Sequence, residues 1–266
     1  MVDNKAVANE TLRIIADGRY LAKGGDVEIG EAIRSAVSGT VTYKPGDVAV
    51  RQKSGAASHR VEVTNETTSS AGRRLAIDEK ESRVCVLNFA SARKPGGGFL
   101  GGAKAQEEDL ARGSALYACL EPQRAYYDAN RKHGSTLYTD HVIYSPDVPF
   151  FRDDRGSLVA PPAMLSVITA PAPNAGAIDE SERAQLKPTL ERRAGIVLEI
   201  AAKHGHRVLV LGAWGCGVFR NDARHVAETF RAHLDTRYGG AFDRVVFAVW
   251  DRAGLTLATF REVLKG

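Results

Sequence analysis

Two adjacent glutamates, Glu107 and Glu108, follow directly after a segment that is unusually rich in glycine. Residues 94–110 read KPGGGFLGGAKAQEEDL and include five glycines. Glycine loses more conformational freedom on folding than other residues, so such a cluster indicates a backbone that must approach something closely. A pair of carboxyl groups beside that backbone can perform general acid and base chemistry. The segment therefore predicts a bound ligand whose reacting group lies against Glu107 and Glu108.

The two glutamates stand near the start of a predicted helix that opens at Gln106. Acidic residues in a first turn also complement the helix dipole without doing any chemistry, and this alternative stays open. Successive helical residues point about 100° apart, so the two carboxyl groups cannot perform the same task. One can reach a leaving oxygen while the other holds sugar hydroxyls. Asn88, at the end of a predicted strand, either bonds the same sugar or caps a loop.

A second glycine-rich stretch, LGAWGCGVFRND at residues 211–222, lies between a predicted strand and a predicted helix. Free amides in such a loop can converge on an anion, helped by the positive end of the following helix. Apolar side chains at its tip can stack on a sugar or a base. A tight turn with Phe219 in the core is the alternative. Gly212, Gly215 and Gly217 are expected to free these amides, and Val218 and Phe219 to provide the apolar surface.

The common nucleotide-binding motifs fit these loops poorly. Gly96, Gly98 and Gly101 match G-x-G-x-x-G, but residues 91–95 separate them from the preceding strand. The dinucleotide fingerprint also requires an acidic residue about twenty positions later at a strand end, where this chain is predicted to be helical. Lys104 lies between alanines, so the G-K-[ST] ending of a phosphate-binding P-loop is absent. Two glycine loops in one α/β domain therefore favour a different diphosphate-bearing ligand.

Short apolar runs alternate with helical patterns over most of the chain, which predicts an α/β domain with helices on both faces of a mixed sheet. The predicted strands are residues 83–90, 141–145, 165–171, 207–214 and 244–251. The predicted helices of this part are residues 106–120, 122–134, 188–205, 222–239 and 256–265. Residues 1–70 are expected to form an accessory or cap segment with two helices and a short strand, and residues 71–266 a catalytic domain.

Bulk composition is that of an ordinary globular protein. The 266 residues are 44% hydrophobic and 26% charged, and the formal net charge of +4 is too small to indicate direct nucleic-acid binding. No stretch reads as a signal peptide or a membrane span. The three cysteines, Cys85, Cys119 and Cys216, are far apart in sequence. We expect them to be reduced, as is typical of a cytoplasmic protein.

The sequence resembles the bacterial type of poly(ADP-ribose) glycohydrolase. The resemblance is carried by PGGGFLGGAKAQEE and GAWGCGVFRND, and also by HVIYSPDVPFFRDDRG and ITAPAPNAG. It extends from about residue 60 to the C-terminus. It implies a macrodomain-like three-layer α/β/α sandwich with a helical N-terminal extension. The implied activity is hydrolysis of the ribose–ribose O-glycosidic bond of poly(ADP-ribose), from chain ends, with release of ADP-ribose.

The resemblance also implies a role for each signature residue. Glu108 would be the catalytic acid and base, while Glu107 and Asn88 would orient the distal ribose. The second loop would clamp the diphosphate, with Phe219 stacking, through Gly215, Cys216, Gly217, Val218 and Phe219. The remaining expected substrate-binding residues are Gly96, Gly97, Gly98 and Gln106. Neither a cofactor nor a metal is implied, and the expected partners are poly(ADP-ribose) or an ADP-ribosylated protein.

Two other activities share most of these features. An ADP-ribose-binding macrodomain would need the second loop but not the two glutamates. A hydrolase of mono-ADP-ribosyl esters would bind the same nucleotide and cleave a different bond. A nicotinamide-dependent oxidoreductase is a more remote alternative, since the dinucleotide fingerprint fails.

Overall fold

The computed structural model describes residues 3–51 and 59–265. The strands in this part of the chain are β1 Arg19–Ala22, β2 Gly25–Glu28, β3 Val41–Tyr43, β4 Arg60–Thr64, β5 Val84–Phe89, β6 Val142–Arg152, β7 Leu158–Ala170, β8 Val208–Gly212 and β9 Arg244–Ala248. The helices are α1 Asn4–Asp17, α2 Gly30–Gly39, α3 Thr68–Arg73, α4 Gln106–Gly113, α5 Leu116–Leu120, α6 Arg124–Lys132, α7 Leu186–Lys203, α8 Ala223–Thr236 and α9 Leu255–Leu264.

Seven strands form one mixed sheet in the order β3-β6-β7-β5-β8-β9-β4. The five strands from β7 to β4 are parallel, whereas β6 is antiparallel to both of its neighbours. The carboxyl ends of the parallel strands therefore meet at one edge. A separate hairpin of β1 and β2 lies outside this sheet. The predicted mixed sheet is confirmed.

Side chains from the two faces of the sheet enter two different cores, as alternation along a strand requires. On β5, Cys85 and Leu87 pack with α7, α8 and α9, while Val84 and Val86 pack with helices α1 to α6. The central strands are buried on both faces, which explains their nearly continuous apolar sequence. The predicted three-layer α/β/α arrangement is confirmed.

Three elements differ from the sequence-based prediction. The helix predicted over residues 106–120 ends at Gly113, because Ser114 adopts extended backbone and bridges to Phe150 of β6. The strands predicted at 141–145 and 165–171 extend into a long hairpin, so β6 continues to Arg152 and β7 begins at Leu158. The β1–β2 hairpin was not predicted. The first difference depends on pairing between distant residues, whereas both hairpins join neighbouring segments whose short or proline-rich strands lack a clear strand pattern.

The N-terminal helix α1 packs directly on the part of the chain that carries the glycine segment. Ala8 of α1 contacts the cluster formed by Phe99 and Ala111, all fully buried. The buried Thr11 hydroxyl donates to the Arg112 carbonyl of α4 at 2.7 Å. Residues before 70 also supply β3 and β4, the two edge strands of the sheet. The proposed boundary between residues 1–70 and 71–266 stays a prediction.

Among the described residues, no helix combines the length and hydropathy that a membrane span requires.

Candidate active site

Helix α4 begins at the carboxyl edge of the sheet, beside the end of β5. Its first residue, Gln106, holds it there. The Gln106 side-chain oxygen accepts from the Phe89 amide at 2.8 Å. Its nitrogen donates to the Leu87 carbonyl at 2.7 Å and to the Thr68 hydroxyl at 3.1 Å. Gln106 therefore positions the helix that carries both glutamates, and its predicted contact with substrate stays a prediction.

Glu107 points inward toward β5, and only 3% of the residue is exposed. One carboxyl oxygen accepts from the Ser91 amide at 2.7 Å, and the other accepts from the Asn88 side-chain nitrogen at 3.2 Å. The Gly96 amide also donates to this carboxyl group. Burial raises the pKa of Glu107 to about 8, with a smaller contribution from the nearby Glu108, and the three donors oppose the shift. Burial therefore favours the protonated form of Glu107 at neutral pH.

Asn88 lies fully buried beneath Glu107 at the end of β5. Its nitrogen donates to Glu107 and also to the Thr169 hydroxyl of β7 at 3.1 Å. Its Oδ1 atom has no hydrogen-bond partner among the described residues. The contact that the structure gives Asn88 in this site is therefore with Glu107. Its predicted contact with a ribose stays a prediction.

Glu108 faces the glycine segment from the opposite side. One carboxyl oxygen accepts from the Gly98 amide at 2.8 Å and the other from the Ala105 amide at 3.0 Å. The two amides lie at opposite ends of the turn that contains Phe99–Gly101. Because both donors belong to the main chain, the carboxyl group has a fixed orientation, and 9% of the residue remains exposed. Glu108 is the more accessible of the two acids.

The absence of a side chain at Gly97 allows both carboxyl groups to occupy these positions. Gly97 has φ +60°, and a Cβ atom there would overlap Glu108 Oε1 and lie 3.0 Å from Glu107 Oε2. Gly96 is also left-handed, and its Cβ would lie 2.9 Å from the Phe99 ring. At Gly98 a Cβ would lie 3.0 Å from Ala103 and 3.7 Å from Glu108 Oε1. The close approach inferred from sequence is thus an approach of backbone to the two acids.

The second loop follows β8, the neighbour of β5, at the same edge of the sheet. Gly215 has φ +75°, and a Cβ atom there would overlap Asn221 and Ala172. The Asn221 side chain closes the loop by donating to the Pro173 carbonyl at 2.8 Å and to the Gly215 carbonyl at 3.1 Å. Within the described residues, no hydrogen bond uses the amides of residues 217–219. These three amides are available to an anion, as the sequence predicts.

The side chains of this loop differ in exposure. Val218 is 82% exposed at the tip. Phe219 is half-buried, and its ring lies 5.9 Å from the Tyr138 ring. Burial raises the pKa of the Cys216 thiol to about 12, so this cysteine is not a nucleophile at neutral pH. All three cysteines are free, in agreement with the sequence prediction.

Sequence reasoning missed Trp250, which follows β9 by two residues and is 58% exposed. Strand β9 is the neighbour of β8, so Trp250 leaves the sheet edge one strand beyond the second loop. The backbone beside it is fixed because the Asp251 amide donates to Asn65 Oδ1 at 3.1 Å. The sequence feature that could have identified Trp250 is its position at the carboxyl end of a predicted strand. Buried aromatic residues are the usual occupants of such runs.

The described residues include no group of three His, Cys, Asp or Glu side chains placed to hold a metal ion.

A mixed sheet covered on both faces, with two glycine-rich loops and two acids at one edge, defines a macrodomain-like α/β protein. The family model for the microbial-type poly(ADP-ribose) glycohydrolase (PARG) catalytic domain matches residues 8–153. The chain belongs to this family. A comparison with curated proteins yields no match.

Solved structures extend the similarity over nearly the whole chain. PARG from Thermomonospora curvata is 46% identical, with a TM-score of 0.93, and the match covers 98% of this chain and 99% of that one. The same enzyme bound to the inhibitor ADP-HPD is 45% identical, with a TM-score of 0.89, over 97% and 98% of the two chains. PARG from Deinococcus radiodurans in complex with ADP-ribose is 50% identical, with a TM-score of 0.81, over 88% and 97%.

Replacing Gly97 with alanine should impair turnover of poly(ADP-ribose) much more than folding. The new Cβ would displace both carboxyl groups, and a shift of about 1 Å costs about 100-fold in rate. Gly134→Ala is the matched control, since Gly134 has φ +80° and a Cβ atom there would meet nothing within 4 Å. The left-handed backbone should destabilise both variants by about 1–2 kcal/mol in urea denaturation, and Gly97→Ala should lose more because of the overlap with Glu108. Equal kcat values for the two variants would contradict this account of Gly97.

Replacing Glu107 with glutamine should remove a pH dependence of stability. The pKa of Glu107 rises from 4.5 to about 8 on folding, so the folded state holds a proton that the unfolded state has released. The stability that this bound proton contributes is fully present below pH 4.5 and is lost as pH rises to about 8. The free energy of unfolding of the wild type should therefore fall by up to about 1.4 kcal/mol per pH unit in this window.

Urea denaturation at several pH values measures this slope. Glu107→Gln should have a flatter profile than the wild type, and Glu228→Gln, which alters an exposed acid, should not. Parallel profiles for the wild type and Glu107→Gln would show that Glu107 does not hold the proton.

Proposed function

We propose that this protein hydrolyses the ribose–ribose O-glycosidic bond of poly(ADP-ribose) and releases ADP-ribose. One observation carries the proposal: the amides of a glycine segment hold two acids at the sheet edge, next to a loop with three free amides. The acids suit a glycosidic bond, and the loop suits a diphosphate. Poly(ADP-ribose) carries both groups in each repeating unit.

The proposed reaction centres on Glu108, the more accessible acid. Glu108 donates a proton to the leaving 2′-oxygen as the bond between that oxygen and the anomeric carbon of the distal ribose breaks. The ribose passes through an oxocarbenium-like state, in which the electron pair of the broken bond stays on the leaving oxygen. Water then attacks the anomeric carbon and returns a proton to Glu108. Proton and bond changes balance without any further reactant.

Glu107 has a different proposed task, to orient the hydroxyls of the distal ribose. Because its pKa is raised to about 8, the acid pair carries at most one negative charge at neutral pH. A low charge matters here since the ligand is itself an anion. Asn88 supports this task through its bond to Glu107.

The ligand is proposed to lie across three neighbouring strand ends. The distal ribose lies at the end of β5, against the Gly96–Gly98 backbone and under Phe219. The amides of residues 217–219, which follow β8, donate hydrogen bonds to the diphosphate. The adenine then reaches the end of β9, one strand spacing of about 4.8 Å further, where Trp250 is exposed. We therefore add Trp250 to the binding residues, as the stacking surface for adenine.

Changing Glu108 to glutamine should lower kcat for poly(ADP-ribose) by about 10²–10⁴ while leaving affinity for ADP-ribose nearly unchanged. The amide keeps the shape of the carboxyl group but cannot transfer the proton. Release of ADP-ribose from labelled polymer measures the rate, and calorimetry measures affinity. Glu31→Gln, which alters an exposed acid of α2, is the control. Wild-type turnover in Glu108→Gln would end the assignment.

The same assay separates the alternative activities. A pure ADP-ribose-binding module would release nothing from the polymer, and an ester hydrolase would prefer mono-ADP-ribosylated aspartate or glutamate. Product size tests the proposed cleavage from chain ends, which yields ADP-ribose without intermediate oligomers. The cytoplasmic location also belongs to the proposal, supported by three free thiols that are typical of a reducing compartment.

Changing Trp250 to alanine should weaken ADP-ribose binding by roughly 5–150-fold, since base–aromatic stacking contributes about 1–3 kcal/mol. Trp250→Phe should retain most of the affinity because it keeps an aromatic face. Leu255→Ala is the matched control, an apolar side chain that is 76% exposed nearby in sequence. Calorimetric titration with ADP-ribose measures the effect. If Trp250→Ala and Leu255→Ala bind alike, adenine does not stack on Trp250.

A further inference from the structure

Four exposed cationic side chains, here called the basic rim, lie within the glycine segment, directly before it or against it. Among the described residues, none of the four lies within 4 Å of a carboxylate or forms a side-chain hydrogen bond, so each charge is available. The basic rim consists of Lys5, Arg93, Lys94 and Lys104.

Short backbone connections tie the basic rim to Glu108. The Lys94 carbonyl accepts from the Gly97 amide at 3.0 Å. Lys104 directly precedes Ala105, whose amide binds the Glu108 carboxyl group. The Lys5 side chain lies over Gly102, where a Cβ atom would come within 3.2 Å of Lys5 Cγ. Lys94 and Lys104 therefore belong to the segment whose amides hold Glu108.

The acids nearest to the basic rim in sequence have other partners. Asp3 accepts from the first amides of α1, Glu108 accepts from two main-chain amides, and Asp109 pairs with Arg112. Glu107 is buried and protonated at neutral pH. The formal net charge of the whole chain is only +4, so four unpaired cations around one short segment are a local concentration of charge. Such a concentration fits an anionic ligand.

The direction of the leaving group places such an anion there. Glu108 protonates the leaving oxygen, so the leaving nucleotide must depart on the side of Glu108. That side is bounded by the turn between Gly98 and Ala105, whose amides hold the carboxyl group. The terminal diphosphate lies on the other side, at the loop after β8. The leaving unit of the polymer carries a diphosphate of its own, which must pass the basic rim.

We propose that the basic rim binds the diphosphate of the leaving ADP-ribose unit, and so forms a second subsite for the polymer. The inference rests on the proposed function, since it takes its direction from the role of Glu108. The subsite increases affinity for the polymer. A substrate whose leaving group carries no phosphate does not gain this affinity.

Two substrates test the subsite: poly(ADP-ribose), and an ADP-ribose glycoside with a neutral aryl leaving group. The test variant is the double substitution Lys94→Gln and Lys104→Gln. Its matched control is Lys23→Gln with Lys187→Gln, which removes the same charge from exposed positions outside the glycine segment. We expect the ratio of kcat/KM for polymer to kcat/KM for glycoside to fall about tenfold in the test variant only. The salt dependence of log KM for polymer should also become shallower, by about one for each bond to a phosphate that the substitutions remove.

Each outcome supports or overturns the proposal. A lower ratio in the test variant with an unchanged ratio in the control supports the subsite. An equal decrease with both substrates indicates general damage to the glycine segment and overturns it, as do equal ratios in the test and control variants. If the wild type cleaves the aryl glycoside but not polymer, the proposed function itself fails, and the subsite falls with it.

Discussion

The site depends on one constraint: two neighbouring carboxyl groups and a turn of main chain must share a space in which no side chain fits. Gly97 provides that space, and the amides of Ser91, Gly98 and Ala105 provide the donors. Donors on the main chain cannot rotate away as side-chain donors can. The fixed donors orient Glu107 and Glu108 before any ligand arrives.

The rest of the fold supports that turn from outside. Gln106 attaches α4 to β5, and Thr11 attaches α1 to the last turn of α4. Buried Phe99 anchors the turn against α1. The glycine segment has a composition typical of flexible backbone, but packed elements hold it on each side. This arrangement reconciles a high glycine content with a precise orientation of two acids.

Sequence pattern alone locates the strands that position the site, because β5, β8 and β9 are buried on both faces and read as continuous apolar runs. It also identifies the two glycine loops and the two acids, since loops after parallel strands converge at one edge. Sequence pattern does not predict the directions of the two side chains, Glu107 toward β5 and Glu108 toward the amides of Gly98 and Ala105. They depend on which face of α4 meets β5, and the tie through Gln106 decides that.

Other features escaped prediction because they arise from contacts between distant segments. The end of α4 at Gly113 follows from the bridge between Ser114 and Phe150. The hairpin of β6 and β7 crosses a stretch with several prolines and charges, a composition that locally resembles a loop. The sequence-based prediction places Trp250 within a buried strand, since an apolar run does not show where the strand leaves the sheet.

The order of strands has a consequence for how the chain assembles. Strand β4, from the first quarter of the sequence, pairs along its full length with β9, from the last tenth. Contacts that span so much of a chain slow the search for the native topology. During synthesis, β4 cannot pair with β9 until residue 248 has left the ribosome. The edge strand β4 therefore joins the sheet after the segments that carry Glu107 and Glu108 have already emerged.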